Sequence, residues 1–171
     1  SPALRSSNKY SLRGRKAWGG STHYTWLGRV WSLQGETAVD KSGHWATSNT
    51  LKYTPSNTST ITLQLRNFSP KFVAPFGNTL QSGSRVQNEH AILLGTQLQT
   101  LRRISLTGYV EFFRHPFPSY RADKASQGME TFAQMVCTTN SKWSWLLRYR
   151  MKTKQQNITG YDDIMEYATT H

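Results

Sequence analysis

An α+β fold is predicted for this chain, in the order strands, helix, strands, helix. Three observations carry the prediction. The stretch Lys142 to Lys154 sorts with a period of two: Trp143, Trp145, Leu147, Tyr149 and Met151 fall on one parity, and Ser144, Arg148, Arg150, Lys152 and Lys154 on the other, with Leu146 alone out of place. Successive strand side chains point to opposite faces, so this is a strand with an apolar face and a row of cations. The period then differs at Val86, His90, Leu93, Leu94, Gln97, Leu98 and Leu101, which recur at three and four residues and predict a helix over 88–103. A closing helix is predicted over 158–170, capped by Thr159 or Gly160, with Asp162 and Asp163 in its first turn and Ile164, Met165 and Ala168 as its apolar stripe.

The remaining elements follow in chain order. Residues 1–9 are polar and read as a flexible segment; 10–171 reads as one domain. Tyr10 and Leu12 oppose Lys9, Ser11, Arg13 and Arg15, a short alternation with its cations outward, and Gly19-Gly20 marks a turn. Tyr24 to Leu33 is aromatic and β-branched enough for a strand, with a bulge or a close backbone approach expected at Gly28. His44 to Tyr53 is a third strand. In Thr60 to Arg66, Ile61, Leu63 and Leu65 are expected to face in, and Thr62, Gln64 and Arg66 to face out. Pro70, Pro75, Gly77 and Gly83 make 67–84 a long connection. Within the first predicted helix, Asn88 is the N-cap, Glu89 and Arg102-Arg103 complement the helix dipole, and Gly95 marks a close packing point. Tyr109 to Phe113 is a short extended piece ended by Pro116 and Pro118. Met129 to Thr139 and Lys142 to Thr153 are two strong strands joined by a turn.

The charge balance points to an anionic partner. The formal net charge is +12, and it arises because Asp and Glu are scarce rather than because the chain is dense in charge. Nucleic acid ranks before an anionic membrane surface as the partner of such a chain. No acidic residue occurs between Thr131 and Tyr161, so the cation row on 142–154 has no local counter-charge and suits a phosphate backbone. No run of 18 or more apolar residues exists, so no spanning helix is expected and no membrane partner either. Cys137 is the single cysteine, which excludes an internal disulfide, and it reads as a small packed hydrophobe.

Catalytic chemistry finds little footing. No phosphate-cradling loop or dinucleotide fingerprint is present. Glu89-His90 looks like half of a zinc-protease motif, but Leu94 stands where the second histidine belongs. The cationic strands carry no paired carboxylates for metal-assisted hydrolysis. No enzyme, metal or cofactor is expected.

Two local features, with the element order, resemble the Whirly family of single-stranded nucleic-acid binders. One is Val110-Glu111-Phe112-Phe113-Arg114-His115-Pro116, similar to the acidic, double-Phe, Pro-containing loop after the first helix of that fold. The other is the pair of long strands from Met129 to Thr153 running into a closing helix. The plant branch's Lys-Gly-Lys motif has only a loose analogue in Arg13-Gly14-Arg15-Lys16. The Trp-rich early strands make the chain more similar to the trypanosomatid mitochondrial RNA-binding branch. The resemblance implies two antiparallel four-stranded sheets packed crosswise with two helices, and a tetramer formed with a related subunit. It also implies a protein of the mitochondrial matrix that holds guide RNA by its backbone and anneals it to pre-edited messenger RNA. The residues expected to bind RNA are Arg148, Arg150, Lys152 and Lys154, then Arg13, Arg15 and Lys16, then Arg29 and Lys52. Trp143 and Trp145, opposite the cations, are assigned to the core; Trp18 and Trp31 are weaker candidates for stacking a base. The competing expectations are a mitochondrial ribosomal protein bound to ribosomal RNA and a viral coat domain.

Overall fold

The alternation seen at Lys142 to Lys154 runs through every element of the structure. A computed structural model describes residues 18–72, 87–101, 103–118, 122, 124–139, 143–157 and 165–170. Within them lie β1 (Gly19–Leu27), β2 (Trp31–Asp40), β3 (Trp45–Ser56), β4 (Ser59–Phe68), β5 (Glu89–Leu101), β6 (Ile104–His115), β7 (Ser126–Thr138), β8 (Ser144–Asn157) and β9 (Met165–Thr170). Each strand pairs antiparallel with its sequence neighbours, giving one nine-stranded sheet in chain order.

This overturns the predicted α+β class and the Whirly-like arrangement of two crossed four-stranded sheets with two helices. No helix occurs among the described residues. The helix expected over 88–103 is β5. Its apolar residues satisfy a period of two as well as one of 3.6: His90, Ile92, Leu94, Thr96 and Leu98 share one face, and Ala91, Leu93, Gly95 and Gln97 the other. Hydrogen-bonded ladders to β4 and β6 on both sides decide between the two. Asn88 is not a helix cap but a left-handed residue, at φ 57°. Its side-chain oxygen accepts the Phe117 N–H (2.7 Å) and its amide donates to the Phe117 carbonyl (2.5 Å), pinning the start of β5 to the connection after β6. Of the closing helix, 165–170 is the strand β9, and 158–164 lies outside the described residues. Tyr24 to Leu33 is two strands rather than one: Gly28 donates its N–H to the Trp31 carbonyl (2.7 Å) inside the β1–β2 turn, so of the bulge or close backbone approach expected there it is the close approach that occurs, to the Trp31 carbonyl and the Trp26 ring.

The connections differ between the two ends of the sheet. At one end successive strands are separated by short intervals, 28–30, Asn57-Thr58, 102–103 and 139–143. At the other end the β2–β3 interval is short and the sequence intervals between strands, 69–88, 116–125 and 158–164, are longer. Asp40 organises the β2–β3 hairpin. Its carboxylate accepts the backbone N–H of Ser42 (2.7 Å) and of His44 (3.0 Å), and Gly43 takes the positive φ of 80° that the turn requires. Burial pushes the Asp40 carboxyl up, and the hydrogen bonds from Ser42 and His44 outweigh it, so its pKa falls below the ordinary carboxylate value. A folded-state pKa lowered in this way adds stability above the ordinary carboxylate pKa and loses it as the pH falls through the folded value. Asp40→Asn should therefore flatten the acid limb of hairpin stability, read as amide exchange protection at Ser42 and His44 across an acid titration.

Cross-strand partners share a face, so the register sorts the side chains into two surfaces. Only five hydrophobic residues are buried among those described: Ala46, Phe68, Phe72, Phe113 and Ala122. Twenty large hydrophobics among the described residues are exposed. A globular fold in water shows the opposite balance. Glycine permits one of the few tight packings. The Phe113 ring lies across its cross-strand partner Gly128, where a Cβ would collide with the ring and with the Thr153 carbonyl oxygen. Gly128→Ala should cost about 1–3 kcal/mol by overpacking, measured as a shift in denaturation midpoint.

Candidate functional site

The two faces of the sheet carry opposite chemistry. Sixteen of the twenty exposed large hydrophobics lie on one face, which is apolar from β1 to β8. The exceptions are Leu27 and Leu146 on the other face, and Trp18 and Trp143 just before β1 and β8. Successive rows on the apolar face read Trp26, Leu33, Leu51, Leu63, Leu94, Val110, Thr131 and Met151, then Trp31, Tyr53, Ile61, Thr96, Gly108, Ala133 and Tyr149, then Ser59, Leu98, Leu106, Met135 and Leu147. Among the described strands, Arg114 is the only Lys, Arg, Asp or Glu on this face.

Aromatic residues mark the edges of the apolar band. Trp31 and Tyr53 stack at the short-turn end, with ring centroids 4.1 Å apart. Toward β8 the same edge moves further along the strands to Trp145, 67% exposed. Trp45 and Tyr167 stand at the opposite edge, both exposed. The band therefore runs obliquely to the strands.

The opposite face is charged and partly enclosed. Arg66 is 3% exposed, Glu89 0% and Glu111 5%. The Arg66 guanidinium pairs with Glu89 at 2.9 Å and also with Glu111, and its Nη1 donates to Gln64 (3.2 Å). Beside it, Glu130 gathers three donors: the Tyr109 hydroxyl (2.6 Å), Arg150 (2.8 Å) and Lys152 (3.2 Å). Tyr109 stacks on Phe132, and the Lys152 ammonium lies 5.1 Å from the Phe113 ring. His115 donates from Nδ1 to the Asn88 carbonyl (2.8 Å), while its Nε2 and the Oγ of its cross-strand partner Ser126 are buried without a hydrogen-bond partner.

Set against this geometry, the nine expected RNA-binding residues separate. Arg148, Arg150, Lys152 and Lys154 do share one face of β8. The row is not free of counter-charge, however: Glu130, one residue outside the acid-free stretch, sits on β7 directly opposite Lys152. Arg148 is held by the Gln134 side chain at 2.8 and 3.0 Å. Lys52 lies on the same face of the sheet, far across it on β3, and Arg29 is in the β1–β2 turn. Arg13, Arg15 and Lys16 lie outside the described residues.

No family model, curated protein or solved structure matches the chain.

The largest correction concerns inside and outside. Ile61 and Leu65, expected to face in, are 44% and 47% exposed, and Arg66, expected to face out, is buried. Trp143 and Trp145, assigned to the core, are 65% and 67% exposed. The buried network of Arg66, Glu89 and Glu111 was missed altogether. The signal for it was in the sequence as three charged residues, each on the polar parity of a strand that is otherwise poor in charge.

Proposed function

We propose that this chain forms part of the wall of a transmembrane β-barrel, with its apolar face against lipid and its charged face toward the lumen. The observation that carries the reading is the sorting of charge. Across the described strands, the acids whose side chains are described and all cations but Arg114 share one face, and the other face carries a band rich in large apolar residues. Four further features fit. β1 to β8 span 9 to 14 residues, enough to cross a bilayer when tilted. The order is an antiparallel meander. Tight turns stand mostly at one end and longer connections at the other, as in outer-membrane barrels. Aromatic residues line both edges of the band. No helix of the described residues is long and apolar enough to cross a membrane. Exposed edges are not tolerated in hydrocarbon, so in a bilayer β1 and β9 must each be paired, with one another or with the edges of a second copy.

The test is reconstitution. The chain is refolded into phosphatidylcholine vesicles and floated on a density gradient after an alkaline wash. Flotation, protease protection of the strands and a mobility in detergent gels that changes on boiling are the expected result. A chain that stays in the aqueous fraction, monomeric and folded without detergent, would overturn the reading.

A second reading, single-stranded RNA held by its phosphates, keeps one specific support: the row Arg148, Arg150, Lys152 and Lys154, with the Arg150 side chain 60% exposed. Its discriminating assay is annealing of two complementary labelled RNAs across a salt series. Acceleration that is lost as salt rises and is indifferent to sequence would favour it. Under that reading Arg150→Ala should weaken binding uniformly and flatten the salt slope by about one. Under the bilayer reading, which departs from the expected matrix RNA partner, annealing is unaffected.

A further inference from the structure

We propose that the apolar face carries a binding site for one glycerophospholipid, with its phosphate on Arg114 and an acyl chain laid along β6; the proposal rests on the bilayer reading. Arg114 is exposed, forms no ion pair with a described residue, and is the one charged side chain of the described strands on that face. An isolated arginine toward lipid is costly unless an anion meets it. Its cross-strand neighbours are all polar: His90 on β5 and Gln127 on β7. Gln127 is held by a hydrogen bond from its amide to the Tyr167 hydroxyl (3.0 Å). This polar row lies toward the longer connections, at the edge of the apolar band, where headgroups lie in a bilayer.

Below Arg114 the face is hollow. A groove of about 920 Å³ opens beside it, floored by Leu65, Ile92, Phe112 and Met129. A second hollow of about 430 Å³ continues along the same face, where Gly108 leaves space between Leu94, Val110 and Thr131. From Arg114 to Gly108 the strand advances about 20 Å at about 3.4 Å per residue. At a tilt of about 45° this is about 14 Å of depth, close to half of the roughly 30 Å hydrocarbon core. The track therefore matches one leaflet, with the headgroup at its surface. One guanidinium with one neighbouring imidazole suits a single phosphate, which selects a glycerophospholipid over a lipid bearing several phosphates.

The test uses the full chain folded in detergent and native mass spectrometry with added phosphatidylglycerol. Diacylglycerol of the same chains serves as the phosphate-free reference. The expected result is one retained phosphatidylglycerol, with affinity about tenfold lower in Arg114→Gln, as for loss of a charge-assisted contact. Arg114→Lys should retain most of the binding, and Arg148→Gln on the opposite face should leave it unchanged. Boiling-dependent gel mobility checks that each variant is folded. Equal retention by the wild-type chain and Arg114→Gln, or equal retention of diacylglycerol, would overturn the site while leaving the barrel wall standing. A wild-type chain that does not insert into vesicles would remove the wall and the site together.

Discussion

Arg66→Ala is expected to destabilise the fold by about 3–5 kcal/mol, the largest effect of any single substitution considered. The reason lies in what remains. Glu89 is fully buried and Glu111 nearly so, and both pair with the same guanidinium. Removing Arg66 leaves two carboxylates close together in a poorly solvated site, where each resists ionisation of the other. The sheet then either opens to admit water or takes up protons. The companion is the triple variant Arg66→Met, Glu89→Gln, Glu111→Gln. It neutralises both carboxylates together with the guanidinium and should recover most of the loss, because a buried ion pair contributes little net stability over a neutral replacement. Denaturation midpoints of the three proteins check this. A single variant as stable as wild type would show that these three side chains are solvated.

Leu94→Arg is expected to cost about 2–4 kcal/mol when the chain is folded in a bilayer, because it sets a guanidinium at mid-depth among Leu63, Val110 and Ile92. The control is Gln97→Arg, exposed on the opposite face of the same strand, which should change stability by less than about 0.5 kcal/mol. The contrast between the two separates lipid from water. Leu94 is 57% exposed, so on a sheet bathed in water both substitutions would be nearly neutral. Denaturant unfolding from vesicles gives the difference directly. Equal effects of the two substitutions would argue that the apolar band does not meet hydrocarbon.

The strands were largely legible, and the direction of their faces was not. Lys142 to Lys154 announced β8 through alternation alone, and Thr60 to Arg66 announced β4 in the same way. β5 escaped because Leu93 and Leu94 are adjacent: a doublet of leucines fits a helical stripe, and it also fits a strand whose charged-face position happens to be apolar. The choice between those periods belongs to β4 and β6, which lie outside the window being read. The assignment of faces failed for a different reason. Apolar parity points Trp145, Ile61 and Leu65 toward a core, a rule that holds in water. Under the bilayer reading the same alternation is satisfied the other way round. Among the cations, the row on β8 was legible and its neutralisation by Glu130 was not, since that contact depends on the register of β7 against β8.

The meander order has a consequence for how such a wall can change over time. Every strand draws its backbone partners from the element immediately before and after it. Duplicating or deleting one complete hairpin would leave the pairings elsewhere intact and preserve which parity meets lipid. The circumference can therefore grow or shrink in steps of two strands without redesign of the remaining sequence. A fold whose strands crossed over one another would have to relearn its register at each such step.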